Sequence, residues 1–290
     1  MKQKLIDRMF ARVAEYGHVC LGLDTDYSYL PQDFAKDFAT PAEAVFEFNR
    51  RIIDCTLDVV ACYKVQIAYY EAMGLEGMAC YAKTLKYLRE KNAIIIADIK
   101  RGDIAKTAEM YAEAHFTGDF EADFITLNPF MGMDTLSPYM PYFRDNDKGA
   151  FVLVATSNPG ASDIEGLEAN GISVSEHVGS MISELSSELT GECGYTAVGA
   201  VVGCTNSEQT TKIRERLSNL FFLIPGYGAQ GGKAEDMADY LKNGNGGVVN
   251  SSRGILLAYK KSEFSQLVFD KAARAECERM RDDILNALKK

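Results

Sequence analysis

The chain of 290 residues contains no tryptophan and only three histidines. His18, His115 and His177 lie at helix-like or pre-strand positions and form no recognisable metal-ligand motif. We therefore predict surface or hydrogen-bonded histidines, with neither a metal site nor a histidine base. The 15 tyrosines and 15 phenylalanines indicate packing in the core and at interfaces.

Long hydrophobic segments are also missing. No run reaches the roughly 18 apolar residues that a membrane-spanning helix requires. The N-terminal segment 1–18 carries charges throughout, including Lys2, Asp7 and Arg12, so it lacks the apolar centre of a signal peptide and predicts an amphipathic helix. We expect a cytoplasmic protein with no membrane partner.

Positive charge is in deficit, with 31 lysines and arginines against 41 aspartates and glutamates and a net charge of −10. Such a surface repels nucleic-acid backbones and anionic membranes, which argues against a general nucleic-acid binder. A local group of basic side chains could still bind a small anion.

Disulfide and zinc patterns are absent from the cysteines. Their number, seven, is odd, none forms a Cys-x-x-Cys pair, and most lie within apolar runs. These features predict buried thiols in a reducing compartment; the residues are Cys20, Cys55, Cys62, Cys80, Cys193, Cys204 and Cys277.

Short apolar runs alternate with amphipathic segments, and the alternation repeats eight times. Runs that are apolar on both faces are typical of parallel strands covered by helices. The predicted strands are 19–24, 59–66, 93–100, 124–128, 150–157, 197–204, 220–226 and 247–252.

Helix-like segments follow the predicted strands. Thr40 and Pro41 mark one start, as a cap and a proline at the first helical position. The other segments are 78–91, 104–116, 175–190, 207–218, 233–242 and 262–288, and the fourth crossover is interrupted by Pro138 and Pro141.

This alternation favours an α/β fold, a (β/α)8 TIM barrel with an N-terminal helix, over an open doubly wound sheet. No linker rich in proline or serine divides the chain, so we expect a single domain over residues 1–290. The longest irregular stretch, 157–172, follows the fifth strand and would lie over the active face.

Charged residues collect where the first three strands end. Asp24 ends the first strand, Lys64 lies on the second, and Asp98 and Lys100 end the third, just before Asp103. Residues two apart in a strand point to the same face, so Asp98 and Lys100 should project together into the barrel mouth. An ion pair that caps a helix is the simpler interpretation of one Asp-x-Lys. Four converging charges favour a functional site, because buried charges require partners.

The last two strands predict a second kind of site. The seventh leads into the glycine-rich segment 225–232, which contains Gln230, and the eighth leads to Arg253. Loops at these two places are the usual phosphate site of a TIM barrel. A flexible turn is the alternative for the glycine-rich segment alone. Together with Arg253, the segment predicts a phosphate ester as ligand.

The motif Asp98-Ile99-Lys100-Arg101-Gly102-Asp103-Ile104, with Lys64, Asp24, the loop Pro-Gly-x-Gly-Ala-Gln-Gly-Gly and Arg253, resembles the orotidine 5′-monophosphate decarboxylase family. The resemblance covers essentially the whole chain, and its length is similar to that of the longer bacterial branch. Ser252 and Lys106 depart from the glycine and asparagine that many short members carry, which affects loop detail only.

The resemblance implies cofactor-independent decarboxylation of orotidine 5′-monophosphate to uridine 5′-monophosphate, a step of pyrimidine biosynthesis. It implies that Lys100 protonates pyrimidine C6 and that Asp98 lies beside the departing carboxylate. Lys64 and Asp24 would bind ribose hydroxyls and continue the charge network. No metal is implied.

Further implied roles lie on the loops. Asp103 and Thr107 would reach the neighbouring subunit's site, which implies a homodimer with shared active sites. Ser157 would face the pyrimidine, and Gln230 and Arg253 would bind the phosphate.

Elementary chemistry supports a lysine at the centre of such a site. Loss of CO2 leaves a carbanion in the ring plane, where no adjacent π system delocalises it, so a fixed positive charge is needed there. Flanking carboxylates from Asp98 and Asp103 would oppose the tendency of burial to neutralise Lys100.

Two other functions remain open from the sequence. A magnesium-dependent sugar-phosphate decarboxylase or aldolase has a similar Asp-x-Lys-x-x-Asp motif, but it carries an acidic metal ligand at the end of strand 2, where this chain has Lys64. A non-catalytic barrel that senses pyrimidine nucleotides would bind uridine monophosphate without turnover.

Overall fold

Eight parallel strands close into a barrel in the computed structural model, which describes residues 3–203, 207–228, 232–241 and 244–289. The strands are β1 (Val19–Gly22), β2 (Cys62–Gln66), β3 (Ile95–Arg101), β4 (Phe124–Leu127), β5 (Gly149–Ala155), β6 (Glu168–Ala169), β7 (Ile172–Ser173), β8 (Thr196–Val202), β9 (Leu220–Pro225) and β10 (Gly247–Ser251). The order around the barrel is β1-β10-β9-β8-β5-β4-β3-β2, while β6 and β7 form a separate antiparallel pair. The predicted TIM barrel is confirmed.

Helices lie between the strands and before the first one. They are α1 (Leu5–Tyr16), α2 (Gln32–Ala35), α3 (Pro41–Thr56), α4 (Ile67–Glu71), α5 (Gly74–Glu90), α6 (Ala105–Phe116), α7 (Met140–Asp145), α8 (Val174–Leu185), α9 (Ser207–Arg216), α10 (Ala234–Ala238), α11 (Arg253–Leu256) and α12 (Phe269–Ala287). Short 3-10 turns are Tyr27–Tyr29, Gly118–Phe120, Met133–Tyr139, Pro159–Asp163, Ser187–Leu189, Ala258–Lys260 and Ser262–Phe264.

Local sequence explains several helix boundaries. The Thr40 hydroxyl accepts a hydrogen bond from the Glu43 amide at 3.2 Å, which confirms the predicted cap of α3. Pro138 lies inside a 3-10 turn and Pro141 in the first turn of α7, so the fourth crossover is irregular as expected.

Two predicted segments need correction. The helix predicted over 262–288 begins only at Phe269, because residues 262–264 form a 3-10 turn and Val268 is extended. The stretch 157–172 is not wholly irregular, since Asn170 and Gly171 both have positive φ and join β6 to β7 in a two-residue hairpin. Asn-Gly is the residue pair that such a turn favours.

The barrel has two hydrophobic layers. One lies between the strands and the surrounding helices. The other fills the barrel interior, where Leu5, Ile6 and Met9 of α1 pack with interior side chains such as Phe124 and Phe151. The N-terminal helix therefore closes one end of the barrel, and the barrel interior is a packed core.

The histidines and cysteines depart partly from expectation. His177 is partly exposed and its Nε2 lies 2.8 Å from the Ala169 carbonyl oxygen, and the buried His18 has its Nε2 3.0 Å from the Gly244 carbonyl oxygen, so both are hydrogen-bonded as predicted. The Nδ1 atoms of His18 and of the buried His115 have no hydrogen-bond partner, and the prediction is wrong for His115. Cys20, Cys62, Cys80 and Cys277 are buried free thiols, Cys55 and Cys193 are partly exposed, and Cys204 lies outside the described residues. No described helix has the length and hydrophobicity of a membrane span.

Mild acid should destabilise the fold through these two histidines. Burial lowers the pKa of His18 and of His115 to about 4. The unfolded chain then binds protons first, so stability that is complete above the ordinary histidine pKa is lost as the pH falls towards 4. At pH 5 each histidine should cost about 2 kcal/mol of unfolding free energy.

The measurement is urea unfolding at about pH 7.5 and about pH 5. His115→Gln should lose about 2 kcal/mol less than the wild type between the two. The control His177→Gln, at a partly exposed histidine, should lose as much stability as the wild type. Equal losses of unfolding free energy for all three proteins would contradict the conclusion that the buried His115 destabilises the fold in mild acid.

Candidate active site

Side chains from the first three strands meet in one charged network at the barrel mouth. Lys64 Nζ lies 2.9 Å from Asp24 Oδ1 and 3.0 Å from Asp98 Oδ2, and Lys100 Nζ lies 2.6 Å from Asp98 Oδ1. Positive and negative groups therefore alternate from Asp24 to Lys100. The strand register produces this arrangement, since Gly22 pairs with Lys64 and Gln66 pairs with Asp98.

Asp98 is the centre of the network. Its carboxylate accepts four hydrogen bonds, from Lys64, Lys100, the Gln66 amide at 2.9 Å and the Thr126 hydroxyl at 2.9 Å. Burial alone would raise the pKa of Asp98, but the charges of Lys64 and Lys100 hold it well below its usual range. Asp98 is therefore ionised and all of its acceptor positions are used.

The two lysines have different surroundings. The Lys64 side chain is only 6% exposed, and although burial would lower its pKa, the charges of Asp24 and Asp98 raise it above the usual value. The Lys100 side chain is 47% exposed and faces the open end of the barrel. Of the two lysines, Lys100 is thus the one that a ligand in the mouth can reach.

The backbone at Lys100 is not that of a regular strand. Its φ is +47°, and the pairing of β3 with β4 shifts register between Ala97 and Arg101. A residue with a Cβ rarely adopts this conformation, which persists only where its surroundings enforce it. The two-residue alternation used in the sequence analysis places Asp98 and Lys100 together, but it does not describe this bulge.

A second region of the mouth lies beside the ends of β9 and β10. A cavity of about 220 Å³ is lined by Asp24, Tyr29, Tyr69, Pro225, Gly226, Tyr227, Asn250, Ser251, Ser252 and Arg253. Arg253 is exposed and is the first residue of α11. Gln230, the other predicted phosphate ligand, lies outside the described residues.

Comparison with known proteins agrees with this geometry. Residues 17–266 match the profile of the orotidine 5′-phosphate decarboxylase / HUMPS family. The chain belongs to this family.

Curated relatives extend the match to nearly the whole chain. An orotidine 5′-phosphate decarboxylase of Clostridium acetobutylicum is 59% identical over 98% of this chain and 100% of the relative. One of Clostridium kluyveri is 56% identical over 97% of each chain. The solved structure of Leishmania donovani OMP decarboxylase superimposes with a TM-score of 0.77 at 28% identity, covering 99% of this chain and 100% of that one.

Three predicted site residues lie neither in the charged network nor in the lining of the cavity beside Arg253. Asp103 Oδ1 accepts a hydrogen bond from the Ile104 amide at 2.8 Å, with no described contact to Lys100 of its own chain. Thr107 is exposed in the first turn of α6. Ser157 follows β5 and packs so closely on Gly203 that a Cβ there would lie 2.8 Å from the Ser157 Cβ.

Gln66 and Thr126 are residues that the sequence analysis missed. Gln66 lies two residues after Lys64, so the alternation along β2 could have placed both side chains on one face. Thr126 is a lone hydroxyl in a buried apolar strand, and nothing in the sequence indicates its partners. Within the described residues no group of three or more histidine, cysteine, aspartate or glutamate side chains could hold a metal ion.

Ser252, which departs from the pattern of short family members, contacts the charged network itself, so the expectation that this departure affects loop detail only is wrong. Its hydroxyl donates to Asp24 Oδ2 at 2.8 Å. The opposite residue is Gly22, where a Cβ would lie 1.9 Å from Ser252 Oγ and 2.9 Å from Ser252 Cβ. A serine at 252 therefore requires a glycine at 22.

This requirement predicts a strong coupling between the two positions. Gly22→Ala should lower the free energy of unfolding by about 1–3 kcal/mol, because the new methyl group overlaps the serine. In a Ser252→Gly background the same change should cost less than about 1 kcal/mol. A double-mutant cycle by urea unfolding measures the difference, and an equal cost in both backgrounds would contradict the steric coupling.

Proposed function

We propose that this chain decarboxylates orotidine 5′-monophosphate to uridine 5′-monophosphate without a cofactor, and that Lys100 protonates C6. The observation that carries the proposal is the ion pair between Asp98 and the half-exposed Lys100 inside the alternating network. Family membership supports the same reaction class, that of a carboxy-lyase in pyrimidine synthesis.

The proposed step balances with this chain's own groups. The bond between C6 and the carboxylate breaks, CO2 leaves, and the electron pair stays on C6 in the ring plane. The Lys100 ammonium stabilises that charge and then transfers a proton to C6, which yields uridine monophosphate and a neutral amine. A fixed cation beside the developing charge is effective because it needs no reorganisation during the reaction.

The remaining site residues bind the substrate in this proposal. Arg253, which lines the cavity at β9 and β10, holds the phosphate together with Gln230, and Asp24 and Lys64 hold the ribose hydroxyls. Ser157 faces the pyrimidine. Binding energy from the phosphate, far from C6, can then stabilise the transition state.

Lys64 argues against a magnesium-dependent sugar-phosphate reaction. It lies on β2 between Asp24 and Asp98, and both carboxylates already bind its ammonium. A divalent cation at this place would be repelled by the lysine and would have to displace it from both aspartates. We therefore favour metal-free chemistry at this site.

The first test follows the ultraviolet absorbance of orotidine 5′-monophosphate in the presence of a chelator. The wild type should convert the substrate, and Lys100→Ala should lower kcat by about 10³-fold or more, because both the cation and the proton donor are lost. Lys271→Ala, an exposed lysine on α12, is the matched control and should keep full activity.

Inactive wild-type protein that is folded would refute the proposal. Binding of uridine monophosphate without turnover would support the nucleotide sensor instead. Turnover of a sugar phosphate that depends on added magnesium would support the rival enzyme.

We also propose that two copies of this chain share their active sites in a cytoplasmic homodimer, with residues 1–290 as one domain. Exposed apolar side chains lie on the segment that follows Asp103 and on the loop after β4; they are Ile104 and Phe130, which are 55% and 78% exposed, and Met110 and Met131. Residues 101 and 128 are joined by a backbone hydrogen bond, so both loops lie on one side of the barrel mouth. Such a surface favours burial against a partner.

Mixing two inactive variants tests shared sites. In a heterodimer of Lys100→Ala with Asp103→Asn, one site has both substitutions and the other has neither. Random exchange of subunits should therefore restore about a quarter of wild-type activity, as half of the dimers are mixed and each has one intact site.

The control for this experiment mixes Lys100→Ala with Lys100→Ala/Asp103→Asn, which should restore nothing. Absence of recovery in the first mixture, once subunit exchange is shown by mass spectrometry, would mean that Asp103 acts within its own chain or not at all.

A further inference from the structure

Thr126 of β4 makes three hydrogen bonds to the part of β3 that carries Asp98 and Lys100. Its hydroxyl accepts from the Ile99 amide at 3.0 Å and the Lys100 amide at 2.9 Å, and it donates to Asp98 Oδ1 at 2.9 Å. One donor and two acceptor positions are the full capacity of a hydroxyl. The direction of each bond is thus fixed, because both amides can only donate.

These hydrogen bonds take the place of backbone hydrogen bonds between β3 and β4, where the two strands leave regular pairing. The register between β3 and β4 shifts between Ala97 and Arg101, and Lys100 lies in the left-handed region within that interval. Buried amides need an acceptor. The Thr126 side chain, only 1% exposed, supplies one acceptor for two successive amides.

The same hydroxyl also fixes the carboxylate that binds the lysine. Thr126 and Lys100 both donate to Asp98 Oδ1, while Lys64 and Gln66 donate to Oδ2. Without the hydroxyl, the Lys100 amide would lose its hydrogen-bond acceptor and the Asp98 carboxylate would lose one of its four donors. Thr126 is absent from the lining of the cavity beside Arg253.

We propose that Thr126 is a positioning residue, which sets the place of the Lys100 ammonium by holding both the Lys100 backbone and the Asp98 carboxylate. The inference rests on the proposed function, in which Lys100 acts on C6. A displacement of an acting group by about 1 Å can cost about 10²-fold in rate. The loss should therefore appear in kcat, with substrate binding largely preserved.

The experiment compares Thr126→Val, which keeps the shape but removes the hydroxyl, with Thr126→Ser, which keeps the hydroxyl. Thr126→Val should lower kcat by about 10²-fold while KM for orotidine 5′-monophosphate changes by less than about 3-fold. Thr126→Ser should restore kcat to within about 5-fold of the wild type. Thr126→Ala is the second hydroxyl-free variant if the valine variant does not fold.

Two controls separate positioning from general damage. Thr84→Val removes another fully buried hydroxyl, which donates to the Cys80 carbonyl of its own helix at 2.8 Å, and it should change neither kcat nor KM. In the Lys100→Ala background, Thr126→Val should cause less than about a 3-fold further loss, because a group that acts through Lys100 has nothing left to position.

Full activity of the hydroxyl-free variants, failure of serine to rescue, or an additive loss in the Lys100→Ala background would each overturn the inference and leave the proposed function intact. An inactive wild type would overturn the proposed function and this inference with it. Calorimetric binding of uridine monophosphate should give the same Kd for Thr126→Val and the wild type, and a large loss of binding would also overturn the positioning role.

Discussion

The site depends on one buried carboxylate that must remain charged. Asp98 is almost wholly enclosed, and an isolated carboxylate in that position would be protonated. Four donors from three adjacent strands prevent this, since Lys64 and Gln66 come from β2, Lys100 from β3 itself and Thr126 from β4. The register of β2, β3 and β4 therefore brings together the donors that keep the Asp98 carboxylate charged.

The barrel supplies the surroundings in which such a network is effective. Beneath the mouth, the interior is filled by apolar side chains and closed by α1, so water is excluded from one side of the charges. Interactions between charges are stronger where the local dielectric is low. The low dielectric therefore both raises the cost of burying these charges and strengthens the ion pairs between them. Within the network, Lys100 is the half-exposed member that remains available for chemistry.

Periodicity made the barrel predictable, because eight buried parallel strands each leave an apolar run in the sequence. Charged residues at strand ends were equally visible, since Asp98 and Lys64 are costly to bury without a purpose. The bulge at Lys100 and the hydrogen-bond partners of Thr126 could not be predicted, because both depend on a neighbouring strand that the local sequence does not identify. The short hairpin after β5 was missed although Asn170-Gly171 indicates it.

Ser252 joins the two halves of the mouth. Its hydroxyl holds Asp24, which binds Lys64, which in turn binds Asp98 and so reaches Lys100. The next residue along the chain is Arg253, at the cavity beside β9 and β10. An anion bound there lies one residue from the start of a continuous chain of charge-assisted hydrogen bonds that ends at the lysine. Ser252 can reach Asp24 because Gly22 has no Cβ, and this contact connects a ligand held at Arg253 to the charged network.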